Sequence, residues 1–212
     1  MPAQRLERPQ GLLSDHEWQR AVQYRCAQSR AAFIAGRAML RLALSEYTQT
    51  DPSELRLGEG KNGKLELRRP TGHDVQFSLS HADTLTLLAI TCGSRVGIDV
   101  ERLRLVPEAY PIIARFASPA ERAAWRRLPP EQRQHAFFRW WTRKEALLKA
   151  TGDGLSADLG AFDVPFSPGD DVCQLPVGGA GATAARWSLV ELLPAPGYLA
   201  SLAIEHPLSA HR

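Results

Sequence analysis

The sequence has few cysteines, little net charge and no long apolar run. Its three cysteines lie far apart and form no CxxC pair, so nothing supports a disulfide or zinc framework, and a reducing cytoplasm fits best. The most apolar stretch, around 85–90, is far shorter than the ~20 residues of a membrane span. The first residues lack the apolar segment of a secretory signal. A net charge of +3 is too small to indicate a nucleic-acid scaffold, although it allows an anionic small ligand.

Lysine is also scarce, since only four of the 26 basic residues are lysines. These four fall into two groups, Lys61 with Lys64 and Lys144 with Lys149. The remaining composition is ordinary, with 44% hydrophobic and 23% charged residues in 212, which argues against disorder and fibrous repeats. The length suits one domain or two small halves that share a core.

Local patterns predict a mixture of helices and strands. Two capping boxes, beginning at Ser14 and Ser118, mark helix starts. The predicted helices cover 15–47, 118–128 and 131–150, and the last one stops at Gly152. The predicted strands cover 75–80, 84–91, 95–101, 187–193 and 198–205. We expect the first three to form an antiparallel meander because their linkers are short, and we expect 167–183 to be a loop.

The strand that contains Gly97 to Glu101 carries two carboxylates. Asp99 and Glu101 project from one face, while Ile98 and Val100 project from the other. Like charges this close repel each other unless a cation lies between them, and two oxygen donors favour a hard ion such as Mg²⁺. An exposed strand face that pairs with Arg102 explains the same residues if they are considered alone.

The long helix carries a third carboxylate and a lysine on one face. Glu145 and Lys149 are four residues apart, which also describes an ordinary surface ion pair. Phe138, Trp141 and Leu148 lie in the same region, so this face is expected to be partly buried. A buried charged pair needs a partner or a function, and a carboxylate beside an ammonium suits a metal-phosphate site.

Three weaker signals suggest phosphate contacts. The glycine-rich loop at 60–64 carries Lys61 and Lys64, although a flexible hairpin has the same composition. Ser80 and His81 end a strand, where a hydroxyl and an imidazole can bind phosphate; a nucleophile-base pair is disfavoured because adjacent strand residues point apart. Arg37 lies on the first long helix, where a solvated basic stripe with Arg41 is the alternative.

Taken in their order along the chain, the motifs resemble those of the Sfp-type 4′-phosphopantetheinyl transferases. That family carries a glycine-lysine loop, a strand that ends in Ser-His, a G-[IV]-D-x-E strand and a W-x-x-K-E-[AS]-x-x-K helix. The matching segments here are Gly63-Lys64, Ser80-His81, Gly97–Glu101 and Trp141–Lys149. The usual Gly-Lys-Pro is Gly-Lys-Leu here, and Ser78 occupies a position that is often asparagine. Because Lys61 precedes the loop lysine, either lysine could be the one that contacts the ligand.

The resemblance implies a fold and an activity. The fold would be α+β, with two similar halves, roughly 1–97 and 98–212, and coenzyme A between them. The enzyme would move the phosphopantetheine arm of coenzyme A to a serine of an apo acyl or peptidyl carrier protein and release 3′,5′-ADP. Fatty-acid, polyketide and nonribosomal-peptide carriers are all possible partners. The family also suggests a monomer, and the small net charge and short apolar runs predict no nucleic-acid or membrane partner.

The resemblance also assigns roles to individual residues. Asp99, Glu101 and Glu145 would hold Mg²⁺, or Mn²⁺ in its place. Glu145, or a water held by these acids, would deprotonate the serine, and Lys149 would contact the pyrophosphate. Asp99, Glu145 and Lys149 are thus the predicted catalytic set. The predicted coenzyme A contacts are Arg37, Lys61, Lys64, Ser80, His81 and Lys149.

The resemblance also implies that the carrier docks on the stretch 110–125. Arg115 and Arg122 would meet an acidic carrier helix there, and three apolar side chains would add contacts unless they belong to the core: Ile112, Ile113 and Phe116.

Two other functions are alternatives for the predicted site. One is a Mg-dependent phosphohydrolase, and the other is a non-catalytic module that binds coenzyme A.

Overall fold

The structure is a computed structural model, and it describes residues 12–60, 63–68, 74–152, 159–169, 171–176 and 184–206. The chain divides into two compact units. Unit 1 contains Met1–Gly58 and Leu67–Val75, and unit 2 contains Glu59–Glu66 and Gln76–Arg212. The predicted division near residue 97 into two similar halves stays a prediction. Among the described residues, no helix is both long enough and apolar enough to cross a membrane.

Two helices, rather than the single one predicted over 15–47, form the start of unit 1. Helix α1 covers Asp15–Val22 and begins at the predicted capping box of Ser14 and Glu17. Helix α2 covers Ala27–Thr48. The chain turns between them because the Gln23 N–H bonds back to the carbonyls of Arg20 and Ala21. The turn is held in place by a hydrogen bond from Arg30 to the Tyr24 carbonyl. The single-helix prediction was therefore wrong at this point.

Two short hairpins follow α2. Strands β1 (Leu57–Glu59) and β2 (Leu65–Leu67) form one two-stranded sheet, and β3 (Val75–Ala82) and β4 (Leu85–Cys92) form another. Between β1 and β2, Gly63 has a φ of 77°, which favours glycine because it lacks a Cβ. The predicted strands over 75–80 and 84–91 are confirmed.

The predicted meander of three strands was wrong. Strand β5 (Val96–Arg102) pairs with the C-terminal strand rather than with β4. Two serine side chains of β3 bond to the backbone of β5, so β3 and β5 lie side by side without a backbone ladder. The short linkers therefore correctly predicted that the three strands are neighbours. They did not predict that β5 belongs to a different sheet from β3 and β4.

The described part of unit 2 contains three α-helices and a short 3-10 helix at Leu159–Ala161. Helix α3 covers Ala109–Phe116, and α4 covers Pro119–Arg127 with the predicted capping box at Ser118. Helix α5 covers Pro130–Thr151 and ends at Gly152, whose φ is 74°. This agrees with the predicted helix over 131–150. Most of its last three turns is buried, as expected for a helix at the centre of a core.

A four-stranded antiparallel sheet packs against α5. Its order is β5-β8-β7-β6, with β6 at Asp171–Pro176, β7 at Ala184–Leu192 and β8 at Tyr198–His206. Helix α5 packs on β5 and β8, and the core between them includes Trp140, Leu147 and Trp187. The predicted loop over 167–183 was wrong where β6 lies, because the backbone of β6 pairs with the later strand β7. Residues 177–183 lie outside the described residues.

Candidate active site

The carboxylates of β5 face α5 because the strand and the helix pack very closely. A Cβ placed on Gly97 would lie 1.9 Å from the Ala146 carbonyl oxygen and 2.6 Å from the Ala150 nitrogen. Only glycine fits this contact without moving the backbone. Two residues further along the strand, Asp99 is buried, with 5% of its surface exposed, and Glu101 is half-buried. The close packing therefore positions both acids beside the helix.

Helix α5 carries one row of half-buried side chains that faces the acids of β5. From Trp141 to Ala150, every residue is buried except Trp141, Glu145 and Lys149. These three are spaced by four, so they lie above one another on one face. The Trp141 side chain is hydrogen-bonded to the Glu101 carboxylate, and Lys149 reaches Asp99. The row on the helix thus meets the acids on the strand.

The tightest contacts join Asp99, Lys149 and Ser80. The Lys149 ammonium lies 2.7 Å from Oδ1 of Asp99 and donates to the Ser80 hydroxyl at 2.8 Å. Ser80, on β3, in turn donates to the same Asp99 oxygen at 3.0 Å. A quarter to a third of the lysine side chain remains exposed, whereas Asp99 and Ser80 are buried. One hydroxyl and one ammonium therefore fix one oxygen of the acid.

Burial and mutual repulsion disfavour the charged forms of the three acids. Burial, and then the Asp99 charge, raise the pKa of Glu145 to about 7, and Glu101 adds a smaller effect. Burial also raises the pKa of Glu101, with a further contribution from Asp99. Burial raises the pKa of Asp99 although Lys149 opposes the change. The Asp99 charge thus raises the pKa of both glutamates, and the three acids are here called the carboxylate cluster.

The carboxylate cluster retains unused oxygen ligands. Among the described residues, Oδ2 of Asp99 and Oε1 of Glu145 are buried and have no hydrogen-bond partner. Buried carboxylate oxygens without partners are unfavourable, and a hard cation would satisfy them. No three His, Cys, Asp or Glu side chains of the described part are arranged closely enough to hold a metal ion as they stand. The oxygen donors are of the kind that Mg²⁺ prefers, and Lys149 occupies the other Asp99 oxygen in this arrangement.

The other predicted residues of unit 2 have different surroundings. His81 is exposed at the end of β3, one residue beyond Ser80. The Lys64 ammonium donates to the Ala150 carbonyl at 3.1 Å, at the C-terminal end of α5. Burial lowers the pKa of Lys64. Lys61 lies outside the described residues, so the predicted choice between the two loop lysines stays open.

Arg37 belongs to unit 1 and lies on α2. Its guanidinium lies 5.2 Å from the centre of the Phe33 ring, and burial lowers its pKa. Within the described residues, its Nη1 group is buried without a hydrogen-bond partner. Arg41, by contrast, is buried and pairs with Glu17 at 2.8 Å. The alternative of a solvated basic stripe is therefore wrong for Arg41, which is a structural residue.

Sequence reasoning did not assign Trp141 and Lys144 to the site. Trp141 could have been found by extending the Glu145–Lys149 spacing by four residues toward the N-terminus. Lys144 is completely buried, and its ammonium lies 2.8 Å from Glu121 and 2.7 Å from the Leu159 carbonyl oxygen. It thereby anchors α5 to α4 and to the segment after α5, while the next residue, Glu145, faces the site. No periodicity distinguishes such an internal lysine from a surface one.

Comparison with known proteins identifies the family. The 4′-phosphopantetheinyl transferase superfamily matches residues 95–202, which include Asp99, Glu101, Glu145 and Lys149. The chain is 36% identical over 204 residues to the 4′-phosphopantetheinyl transferase HetI of Nostoc, which covers 96% of this chain and 83% of that protein. It is 30% identical over 131 residues to a 4′-phosphopantetheinyl transferase of Bacillus subtilis. This match covers 62% of this chain and 56% of that protein. It is 28% identical over 165 residues to the L-aminoadipate-semialdehyde dehydrogenase-phosphopantetheinyl transferase of Homo sapiens. This match covers 74% of this chain and 53% of that protein. The predicted family is thereby confirmed: the chain belongs to the 4′-phosphopantetheinyl transferase superfamily.

Proposed function

We propose that the carboxylate cluster and Lys149 form the reaction centre of a magnesium-dependent 4′-phosphopantetheinyl transferase. The observation that carries this proposal is the pair of buried, unpartnered carboxylate oxygens beside a lysine that is partly exposed. As a family member, the chain transfers phosphopantetheine from coenzyme A to carrier proteins. The need for magnesium, the roles of single residues and a cytoplasmic location are our proposals.

The reaction is a displacement at phosphorus. The serine hydroxyl of the carrier attacks the phosphorus that bears the pantetheine arm, and a new O–P bond forms. The bond from that phosphorus to the bridging oxygen breaks, so 3′,5′-ADP leaves with the electron pair. The serine proton passes to a base, for which Glu145 or a water held by the acids is proposed. Such a reaction needs positioning and charge neutralisation more than covalent chemistry.

The carboxylate cluster would hold the metal ion through Asp99, Glu101 and Glu145. When bound, Mg²⁺ would neutralise charge on the pyrophosphate oxygens and offset the repulsion among the acids. Oδ2 of Asp99 and Oε1 of Glu145 are free to serve as ligands in the described part of the chain. Glu101 is hydrogen-bonded by Trp141, and Asp99 by Lys149 and Ser80.

Three cations are proposed for the phosphates of coenzyme A. Lys149 uses two of its three N–H donors on Ser80 and Asp99, which leaves the third for a pyrophosphate oxygen. Arg37 has a buried donor without a partner among the described residues, as an anion-binding group requires. Lys64 contacts the end of α5 and would add a point charge. His81 is exposed and could donate to a phosphate.

The proposed carrier surface keeps only Arg115 of the five predicted contact residues. Ile113 is only 1% exposed and belongs to the core, so it offers no contact to a partner. Ile112 and Phe116 are partly buried against the same core. Leu105 and Tyr110 are exposed large side chains, and Arg115 on α3 is also exposed. We therefore place the carrier contact at Leu105, Tyr110 and Arg115, two exposed large side chains and an exposed cation.

The test separates the metal role from folding. Asp99→Asn and Glu145→Gln should lose most of the transfer to an apo carrier, and both should keep the wild-type circular dichroism spectrum. Glu131→Gln is the matched control, because Glu131 lies exposed in the first turn of the same helix. It should transfer at the wild-type rate. Near-normal transfer by both site variants would contradict the assignment of the carboxylate cluster.

A further inference from the structure

Two serines of β3 bind the free edge of β5. Strand β5 is at the edge of its sheet, with β8 on one side only. The Ser78 hydroxyl accepts the Ile98 N–H at 3.1 Å, and the Ser80 hydroxyl accepts the Val100 N–H at 3.3 Å. Both serines are buried. They therefore perform the same structural task, two residues apart, on the strand that carries the acids.

Ser80 makes two further hydrogen bonds that Ser78 lacks among the described residues. It donates to Oδ1 of Asp99 and accepts from the Lys149 ammonium. A serine hydroxyl has one proton to donate and two lone pairs to accept with. The contacts to Asp99, Lys149 and Val100 use all three. The hydroxyl therefore has no donor left for a phosphate oxygen in this arrangement.

We propose that Ser80 is a positioning residue, which orients Asp99 for the metal ion and does not itself bind phosphate. Ser80 bonds to Oδ1 of Asp99, while Oδ2 is buried and has no hydrogen-bond partner among the described residues. Residues that hold a metal ligand in place typically change metal affinity by about 10- to 100-fold. The inference rests on the proposed function, since it takes Asp99 as a metal ligand. It replaces the predicted phosphate contact of Ser80.

The chain supplies its own control for this proposal. Ser78→Ala removes a hydroxyl that bonds only to the β5 backbone within the described contacts, whereas Ser80→Ala also removes the bonds to Asp99 and Lys149. Ser80→Ala should lower the stability in urea unfolding more than Ser78→Ala does, because it removes three hydrogen bonds rather than one. Only Ser80→Ala should alter the site.

The experiment uses two ligands separately on the full chain. First, Mn²⁺ is titrated in the presence of saturating coenzyme A and followed by electron paramagnetic resonance. Second, coenzyme A is titrated by calorimetry in excess EDTA. For Ser80→Ala, we expect Mn²⁺ affinity to fall about tenfold or more and kcat to fall with it. Coenzyme A affinity in EDTA should stay within about twofold. Ser78→Ala should match the wild type in all three measurements.

Several results would overturn the proposal. Equal Mn²⁺ affinity in Ser80→Ala and wild type would show that Ser80 does not act through Asp99. A loss of coenzyme A affinity in EDTA with unchanged Mn²⁺ affinity would make Ser80 a direct phosphate ligand.

If Ser80→Ala does not fold, a second pair of variants replaces it: Ser80→Thr keeps the hydroxyl and Ser80→Cys keeps the volume. Thr should then retain Mn²⁺ affinity and Cys should lose it, and equal affinities would count against the proposal. If the wild-type chain binds no Mn²⁺, the metal proposal itself fails, and this inference fails with it.

Discussion

Lys144 provides the most quantitative prediction for the fold that supports the site. Its side chain is completely buried, and its ammonium lies 2.8 Å from a Glu121 carboxylate oxygen that is itself 2% exposed. It also donates to the carbonyls of Leu159 and Phe162. Lys144→Met keeps a long apolar side chain but removes the charge. Glu121 would then be a buried carboxylate without its cation.

The expected loss of stability follows from that unpaired charge. Removing one partner of a buried ion pair typically costs about 3–5 kcal/mol. Glu121 keeps hydrogen bonds from the backbone N–H groups of Ser118 and Val164, which argues for the lower half of this range. Urea unfolding followed by tryptophan fluorescence measures the change, since Trp140 lies 5.8 Å from the ammonium. The double variant Lys144→Met/Glu121→Gln should be more stable than Lys144→Met, because no buried charge remains.

Lys64→Met is the matched control for this substitution. Lys64 is a half-buried lysine that donates to the Ala150 carbonyl and makes no ion pair in the described structure. Loss of one such hydrogen bond is expected to cost about 1 kcal/mol. If Lys144→Met loses no more than this control, the ammonium does not hold α5, α4 and the following segment together. The argument from buried charge would then be refuted.

Three further predictions concern the site. Gly97→Ala should lower stability by about 1–3 kcal/mol and reduce transfer, because its Cβ would meet backbone atoms of α5; unchanged urea unfolding would contradict this close contact. In metal-free buffer, Glu145→Gln should be more stable than wild type at pH 8, with the difference lost below pH 4.5. The raised pKa of Glu145, about 7, means that the folded wild type loses stability as pH rises toward that value, and an equal difference at both pH values would refute this. Tyr110→Ala should raise KM for the carrier but not for coenzyme A in steady-state kinetics, and Leu193→Ala, at another exposed position, should change neither. An unchanged carrier KM in Tyr110→Ala would move the contact elsewhere.

Local signals in the sequence were sufficient for single elements. The capping box at Ser118 and the stop at Gly152 predicted the bounds of α4 and α5 closely. The break between α1 and α2 was missed because 23–26 contains neither glycine nor proline. Strand β6 was missed because its stability comes from pairing with β7, which a local pattern does not contain.

The acids of the site could be predicted, whereas the groups that hold them could not. Strand alternation predicted that Asp99 and Glu101 share a face, and a spacing of four predicted the same for Glu145 and Lys149. The hydrogen bonds from Ser80 and Trp141 depend on which strands and helices pack together. Such contacts join residues far apart in the sequence, so neither composition nor periodicity reveals them.

The most direct test of the account is the fate of coenzyme A when the chain, Mg²⁺ and an apo carrier protein are incubated together. Intact mass spectrometry of the carrier and chromatography of the nucleotide measure both products. The account predicts that each modified carrier gains one phosphopantetheine group, that an equal amount of 3′,5′-ADP is released, and that EDTA stops both. Coenzyme A hydrolysis without carrier modification, binding without turnover, or modification that persists in EDTA would contradict it.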